Sequence, residues 1–284
     1  MPRRLRIGGR GLLTGWAMLV YTFLYAPIVV VVIFAFNSNR QVTVWRGFTT
    51  HWFGDAWDDP VYRSALTTSL RIALASSLLA TILGTAAALA LSRMHRRLRM
   101  PFDALVYLTL VVPEIVIAVA SLIFFVRLHA RVSPFPQLGQ ATILFGHTVF
   151  NTSLVTLIVR ARFVGMGSAL EEASFDLGAG PLSTFRQVTL PRLYPAVIAA
   201  ALLSFVFSFD DYVLSAFTAG GTTQTWPMVV FAAVRFGVTP AINAFATLML
   251  LVTLSVLAVT AIVLRRARAT TPDEGGLTGT LGLG

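Results

Sequence analysis

Apolar residues run in long blocks along this chain rather than in alternation, and polar residues gather between the blocks. Six blocks stand out, at 12–36, 66–91, 102–126, 141–159, 194–217 and 242–264. Most exceed the ~20 residues that carry a helix across ~30 Å of hydrocarbon, and none shows the two-residue alternation of a transmembrane barrel. The pattern predicts an all-α protein with six transmembrane helices, a single membrane domain over 1–284, and a disordered polar tail at 269–284. The first block is too long for the apolar region of a cleaved signal peptide and no A-x-A site follows it, so it is expected to stay attached.

Composition agrees with the pattern. Of 284 residues, 56% are hydrophobic and only 12% are charged, and the mean hydropathy is +0.77. A soluble fold of this size could not cover so much apolar surface, so the lipid bilayer must be its solvent. The net charge of +10 comes from arginine, since the chain has no lysine. Those arginines sit beside the spans, where anionic headgroups satisfy them, and nucleic-acid binding is therefore not expected.

The same arginines set an orientation. Arg3, Arg4, Arg6 and Arg10 precede the first span, Arg93, Arg96, Arg97 and Arg99 crowd the connection between spans two and three, and Arg265, Arg266 and Arg268 follow span six. Basic residues near span ends are retained in the cytoplasm. Both termini and the 160–192 loop, flanked by Arg160, Arg162 and Arg192, are thus expected on the cytoplasmic side of the membrane.

Enzymatic chemistry finds little support. There is no cysteine, so disulfides and thiolate chemistry are excluded. His51, His95, His129 and His147 are scattered rather than set at ligand spacing, which argues against a metal site. No G-x-S-x-G elbow occurs. No catalytic residue is assigned.

The 160–192 loop is unlike a passive connector. Ser168 and Glu171 form an S-x-x-E pattern that predicts a capping box and a short helix. Gly178 is expected to stop that helix, and Pro181 to start a second one outside the membrane. Apolar Leu170, Phe175, Leu177, Leu182 and Phe185 lie among the acids. A loop of this length with its own caps and something to bury is expected to meet a protein partner.

The motif Glu172-Ala173-Ser174, three residues, Gly178, nine residues, then Val188-Thr189-Leu190-Pro191 resembles the EAA signature of permease subunits of bacterial ABC importers, departing only at Ser174. The "AFN" ending span one, "VVPEIVIAV", "SFDDYVLSAFTAGG" and "TPAINAFATLML" extend the likeness, most closely to the second permease of spermidine/putrescine-type importers. The resemblance implies a type I ABC importer permease fold in which this loop is the coupling helix. Glu172, Ala173, Ser174, Asp176, Gly178, Leu190 and Pro191 would then dock on an ATPase dimer. It further implies a second permease subunit, with the solute path between the two, and an extracytoplasmic substrate-binding protein. Relatives sharing this loop carry other small solutes, and an ion-coupled secondary transporter is the rival class, disfavoured because no repeat relates the two halves.

The absence of lysine has a direct consequence. A P-loop needs its Lys for the phosphates, so ATP and Mg²⁺ are expected on a separate ATPase and no cofactor on this chain.

Carboxylates inside a membrane are costly and mark a path or a partner. Glu114 falls within span three directly after Pro113, and Asp210 and Asp211 fall near the outer end of span five. They are expected to draw an organic cation, with Phe209, Tyr212 and Trp226 supplying ring faces. Alternatively, Glu114 pairs with His147 or Asn151, and the Asp pair marks the membrane surface. Neighbours on a helix point ~100° apart, so only one of Asp210 and Asp211 is expected on the path. The segments 37–63, with Trp45, Trp52 and Trp57, and 220–240 are the expected outer surfaces. In span two, Ala80, Gly84 and Ala88 form a small-x-x-x-small row, which close helix packing and an alanine-rich composition explain equally well.

Overall fold

A computed structural model describes residues 5–42, 44–132 and 134–269, with the side chains of 5–10, 260 and 263–269 outside the description. The arginine clusters at 3–10 and 265–268 and the tail at 270–284 therefore lie outside the residues described in full. The described chain is helical: α1 Leu5–Phe34, α2 His51–Asp58, α3 Pro60–Arg93, α4 Arg96–Val111, α5 Glu114–Arg131, α6 Gln140–Val164, α7 Ala169–Asp176, α8 Pro181–Thr184, α9 Leu190–Asp210, α10 Val213–Thr218, α11 Trp226–Phe236 and α12 Pro240–Ala269. Among the described residues five stretches are long and apolar enough to cross a membrane, and α4 with α5, bent by 108° at their break, pass the same test together and count as a sixth when taken as one broken span.

That bend corrects the continuous third span expected over 102–126. Val112 takes an extended conformation (φ −63°, ψ 131°) and Pro113 follows at φ −54°, ψ 132°. A proline ring disfavours the helical region for the residue before it and removes an amide donor, so the helix stops rather than bends. Glu114, expected well inside the span, instead opens α5.

Span five also differs from 194–217. A 30-residue helical run, Pro181–Asp210, joins α8 to α9 through a π-helical turn at Phe185–Thr189. It stops at Asp210, and α10 is a separate helix. The second loop helix is thus the first turn of the span itself and not an independent element.

The chain forms two compact units. One comprises the residues up to Ser64 together with Val229–Val252. Here α1 exposes apolar side chains such as Leu13, Trp16 and Phe23. Asn37, fully buried, organises the segment after it: Nδ2 donates to the Val44 carbonyl (2.8 Å) and Oδ1 accepts from the Arg46 amide (3.0 Å). The Trp52 indole donates to the Asn37 carbonyl (2.7 Å), and Phe36 stacks on Phe48. Residues 37–42 and 44–63, expected only as an external surface, therefore carry an aromatic module held by Asn37.

The other unit, Ala65–Met228 with the chain from Thr253, holds a core built from small residues. Ala80, Ala88, Val155, Val159, Leu193 and Ala200 are fully buried together. The α3 row packs on α6, and Thr156 donates to the Gly84 carbonyl at 3.3 Å. Close packing, and not composition alone, accounts for the row. Several hydroxyls within the helices are satisfied by carbonyls a turn back, as at Thr81 (2.6 Å), Ser92 (2.7 Å) and Thr152 (2.7 Å). Between α6 and α4, Arg160 grips Asp103 with both terminal nitrogens, and Arg99 joins at 3.2 Å.

A methyl added at Gly84 would lie 2.7 Å from Val155 Cβ and 2.9 Å from the Thr152 carbonyl oxygen. At an open helical site Gly→Ala stabilises by about 1 kcal/mol, whereas overpacking here costs ~1–3 kcal/mol. Gly84→Ala should therefore lower the thermal unfolding temperature of the detergent-solubilised protein, while Gly54→Ala, with nothing within 4 Å, should not. A raised unfolding temperature for Gly84→Ala would show that the interface is loose.

Candidate functional site

Two helix breaks meet at one cavity. α9 ends at Asp210, and Asp211 is extended (φ −67°, ψ 120°) before α10 begins. The break of the third span places Glu114 at the start of α5. Between them lies a cavity of ≈ 440 Å³, lined by Glu114, His147, Phe150, Asn151, Val206, Phe207, Ser208, Asp210, Asp211, Tyr212, Val213 and Leu214. Irregular backbone inside a membrane is tolerated only where protein or a water-filled cavity receives its polar groups, and both breaks satisfy that condition.

Asp210 and Asp211 both line the cavity, which corrects the expectation that only one of them would. The 100° argument holds within a helix, and the helix ends between these two residues. Glu114 neighbours Asp211 across the space, so the structure brings Glu114, Asp210, Asp211 and Tyr212 together. Trp226 it does not: its side chain is buried at the start of α11, where its amide accepts support from Ser69 by donating to Oγ (2.8 Å). Phe209 is also buried and stacks on Phe205.

His147 is the residue the sequence concealed. One of four scattered histidines in the sequence and a possible partner of Glu114, it is 2% exposed and joins four elements. Nδ1 lies 2.7 Å from Ser208 Oγ of α9 and Nε2 lies 3.1 Å from Ser215 Oγ of α10 and 3.5 Å from Asp211 Oδ1. Ser76 Oγ of α3 extends the chain to Ser208 at 2.8 Å. Asp211 Oδ1 also accepts from the Ser215 amide at 3.0 Å and so caps α10. One carboxylate oxygen thereby holds the new helix, and the Asp211 carboxyl also hydrogen-bonds the Glu114 side chain, so that two of the three carboxyls of the cavity are paired with each other. Asn151, 1% exposed, adds an Oδ1 with no hydrogen-bond partner among the described residues. The sequence signal for this node was weak, because isolated serines and a single histidine in an apolar run have no spacing to read.

Chemically the cavity offers carboxylates, an amide and the rings of Phe150, Phe207 and Tyr212. Such walls suit a cation through charge and ring faces. Among the described residues no three His, Asp or Glu side chains converge to hold a metal ion.

The second feature is the loop at the other end of α9. Its first helix, α7, ends in a Schellman arrangement: the Gly178 amide donates to the Phe175 carbonyl (2.9 Å) and the Ala179 amide to the Ser174 carbonyl (3.0 Å). This requires Gly178 at φ +82°. The expected capping box is absent. Ser168 makes no side-chain cap, and Glu171 turns instead to Thr189, whose hydroxyl donates at 2.5 Å, and to Arg93 at 3.6 Å. A hydroxyl and a guanidinium outcompete a single backbone amide for that carboxylate. Ser174 and Thr184 hydroxyls bond at 3.0 Å and tie α7 to α8. With these internal ties the loop leaves Glu172, Ala173, Asp176, Leu190 and Pro191 exposed. Leu170, Phe175, Leu177 and Leu182 are exposed beside them, Leu177 by 89%.

Comparison with known proteins places these features. Residues 80–269 match the model of the family described as "Binding-protein-dependent transport system inner membrane component". The chain is 41% identical to the putrescine transport system permease protein PotI of Escherichia coli (strain K12) over 234 residues, which is 82% of this chain and 83% of that protein. It is 33% identical to the spermidine/putrescine transport system permease protein PotC of Shigella flexneri over 268 residues, covering 94% and 98% of the two chains. Among solved structures, a chain of the bacterial ABC transporter that imports the acidic polysaccharide alginate aligns with a TM-score of 0.69 at 16% identity, covering 92% of this chain and 98% of that one. A chain of the inward-facing MetNI methionine ABC transporter aligns with a TM-score of 0.62 at 17% identity, over 74% and 99%. The chain thus has the fold of ABC importer permeases, and it belongs to the family of binding-protein-dependent transport system inner membrane components.

Proposed function

We propose that this permease imports a polyamine, putrescine or spermidine, along a path that includes the cavity at the two helix breaks. The observation that carries the reading is the convergence of Glu114, Asp210 and Asp211 on one space walled by aromatic rings. An acidic solute would be repelled there, and an uncharged one would gain nothing from carboxylates that are costly to keep in a membrane. The relatives named for putrescine and spermidine transport agree with that chemistry.

Energy comes from a separate ATPase dimer that binds ATP and Mg²⁺, since this chain has no lysine for a P-loop. The ATPase docks on α7 and the exposed apolar residues around it, on the cytoplasmic side with both termini. A second permease subunit completes the path, and a substrate-binding protein delivers the solute on the opposite face. The run Pro181–Asp210 starts in the docking loop and ends at the cavity. At 1.5 Å per residue it spans about 45 Å, so a displacement at the loop reaches Asp210 through one continuous helix, with α7 clamped to it by Glu171–Thr189 and Ser174–Thr184.

Charge can be separated from shape at the cavity. Glu114→Gln, Asp210→Asn and Asp211→Asn should each weaken putrescine uptake affinity roughly ten- to a hundredfold, the scale of one charge-assisted contact, with subunit assembly unchanged. Asp211→Asn keeps an acceptor for the Ser215 amide but also alters the contacts to His147 and Glu114, so Asp210→Asn is the variant that reports charge most directly. Parent-like concentration dependence in all three variants would remove the cation path.

At the loop, Gly178→Val places a β-branched residue at φ +82°, where only glycine and, less well, asparagine sit without strain. It should abolish uptake and weaken ATPase association, while Gly178→Asn retains most of both. Normal transport by Gly178→Val would mean that the turn plays no part in coupling.

A further inference from the structure

The cavity at the two breaks is bordered by three carboxyl groups, on Glu114, Asp210 and Asp211, and among the described residues no arginine lines it. Two of the three, Glu114 and Asp211, are hydrogen-bonded to each other across the junction of α5 with the α9–α10 break. An ionised carboxylate has acceptors and no donor, so two ionised carboxylates cannot hydrogen-bond. The joined pair therefore contains one proton and carries one negative charge, as two carboxyls sharing a site generally do.

The other groups around the pair are few. α6 brings His147, whose Nε2 lies 3.5 Å from Asp211 Oδ1 and whose two nitrogens are both engaged by serine hydroxyls. α9 brings Asp210, which is exposed to the cavity, the start of α10 brings Tyr212, and α3 reaches the node only through the Ser76 hydroxyl. An ammonium group matches the shared proton in charge and in bonding, since it is singly positive and has donors but no acceptor. Putting an ammonium where the proton was leaves the charge of the pair unchanged and gives each carboxylate an N–H. Opening the pair with no replacement would leave two like charges side by side within the membrane, which is costly.

We propose that the Glu114–Asp211 pair is an exchange site, at which one ammonium of the imported cation takes the place of one proton. The proposal rests on the polyamine reading and specifies its chemistry. When the cation enters, its ammonium bridges the two carboxylates and the proton leaves to solvent through the cavity. When the cation departs, the pair takes a proton back and closes, so the empty site never holds two opposed charges. Asp210, outside the pair, receives the second ammonium of a diamine and displaces no proton. The amine itself stays an ammonium throughout, because an alkylamine titrates near ~10.4, far above neutral pH.

The test is calorimetric titration of putrescine into the assembled transporter in lipid nanodiscs, repeated in buffers of different ionisation enthalpy, which counts the protons released per cation bound. The parent should release about one proton per putrescine, and its affinity should rise with pH by up to about tenfold per unit, because a reaction that releases a proton is favoured by removing protons. Glu114→Gln can still donate to Asp211 through its amide but has no proton to lose. It should bind more weakly, release none and lose the pH dependence. Asp210→Asn, outside the pair, should bind more weakly and still release about one. The infrared difference spectrum of the parent should show a protonated carboxyl band disappearing as putrescine binds, with no such change in Glu114→Gln. Putrescine binding by the parent without proton release overturns the exchange and leaves the cation path standing. Equal release by Glu114→Gln does the same, since the proton would then come from another group such as His147. Absence of putrescine binding to the parent at every pH would remove the cation path itself, and the exchange with it.

Discussion

The structure depends on how it satisfies polar groups where two membrane helices stop short. In hydrocarbon every unpaired amide or carbonyl is expensive, so a helix can break only beside groups that replace its hydrogen bonds. Here the replacement at the fifth span is one buried node. His147 reaches Ser208 on one side of the break and Ser215 on the other, Asp211 caps the helix that follows, and Ser76 ties the node to α3. The node turns a discontinuity into a fixed corner, and the corner is what allows two adjacent aspartates to line a single cavity.

The same logic separates rigid from receptive parts. Around the node, small residues let α3, α6 and α9 approach closely, and Gly84 meets Val155 with no room for a methyl. At the loop, hydroxyl and carboxylate contacts hold α7 to the base of α9, so its exposed apolar side chains are presented on a stiff platform. Exposed apolar residues on such a platform suit a protein partner, and the helix that supports it is the one that terminates at the cavity.

Much of this was legible in the sequence. Long apolar blocks announced the spans, because a membrane helix must be apolar over its full length, and the Gly178 turn followed from its place in the loop motif. Pro113 signalled a perturbation, but whether a proline bends or stops a helix depends on what lies beside it, here the cavity and α5. The stop at Asp210 had no local signal, since "SFDDYVLSAF" is as apolar after the aspartates as before them. Glu171 was misread because its capping pattern is local, whereas its partners, Thr189 and Arg93, are distant in sequence. Trp226 was grouped with the cavity on aromatic character alone, and its burial near Ser69 depends on packing that no short-range pattern encodes. The helices α2 and α11 were likewise hidden within segments that looked like plain connections.

The central claim is that the two breaks enclose a water-accessible, cation-binding cavity, and the absence of cysteine from the chain allows a direct measurement. Single cysteines placed at Val206 and Val213, which line the cavity, and at Leu83, which is exposed on α3 outside it, can be reacted with a hydrophilic thiol reagent in membranes containing the assembled transporter. The account predicts that Val206→Cys and Val213→Cys react and that saturating putrescine slows both at least severalfold, while Leu83→Cys, facing lipid, stays unreactive. Unreactive cysteines at both cavity positions, or labelling rates indifferent to putrescine, would contradict it.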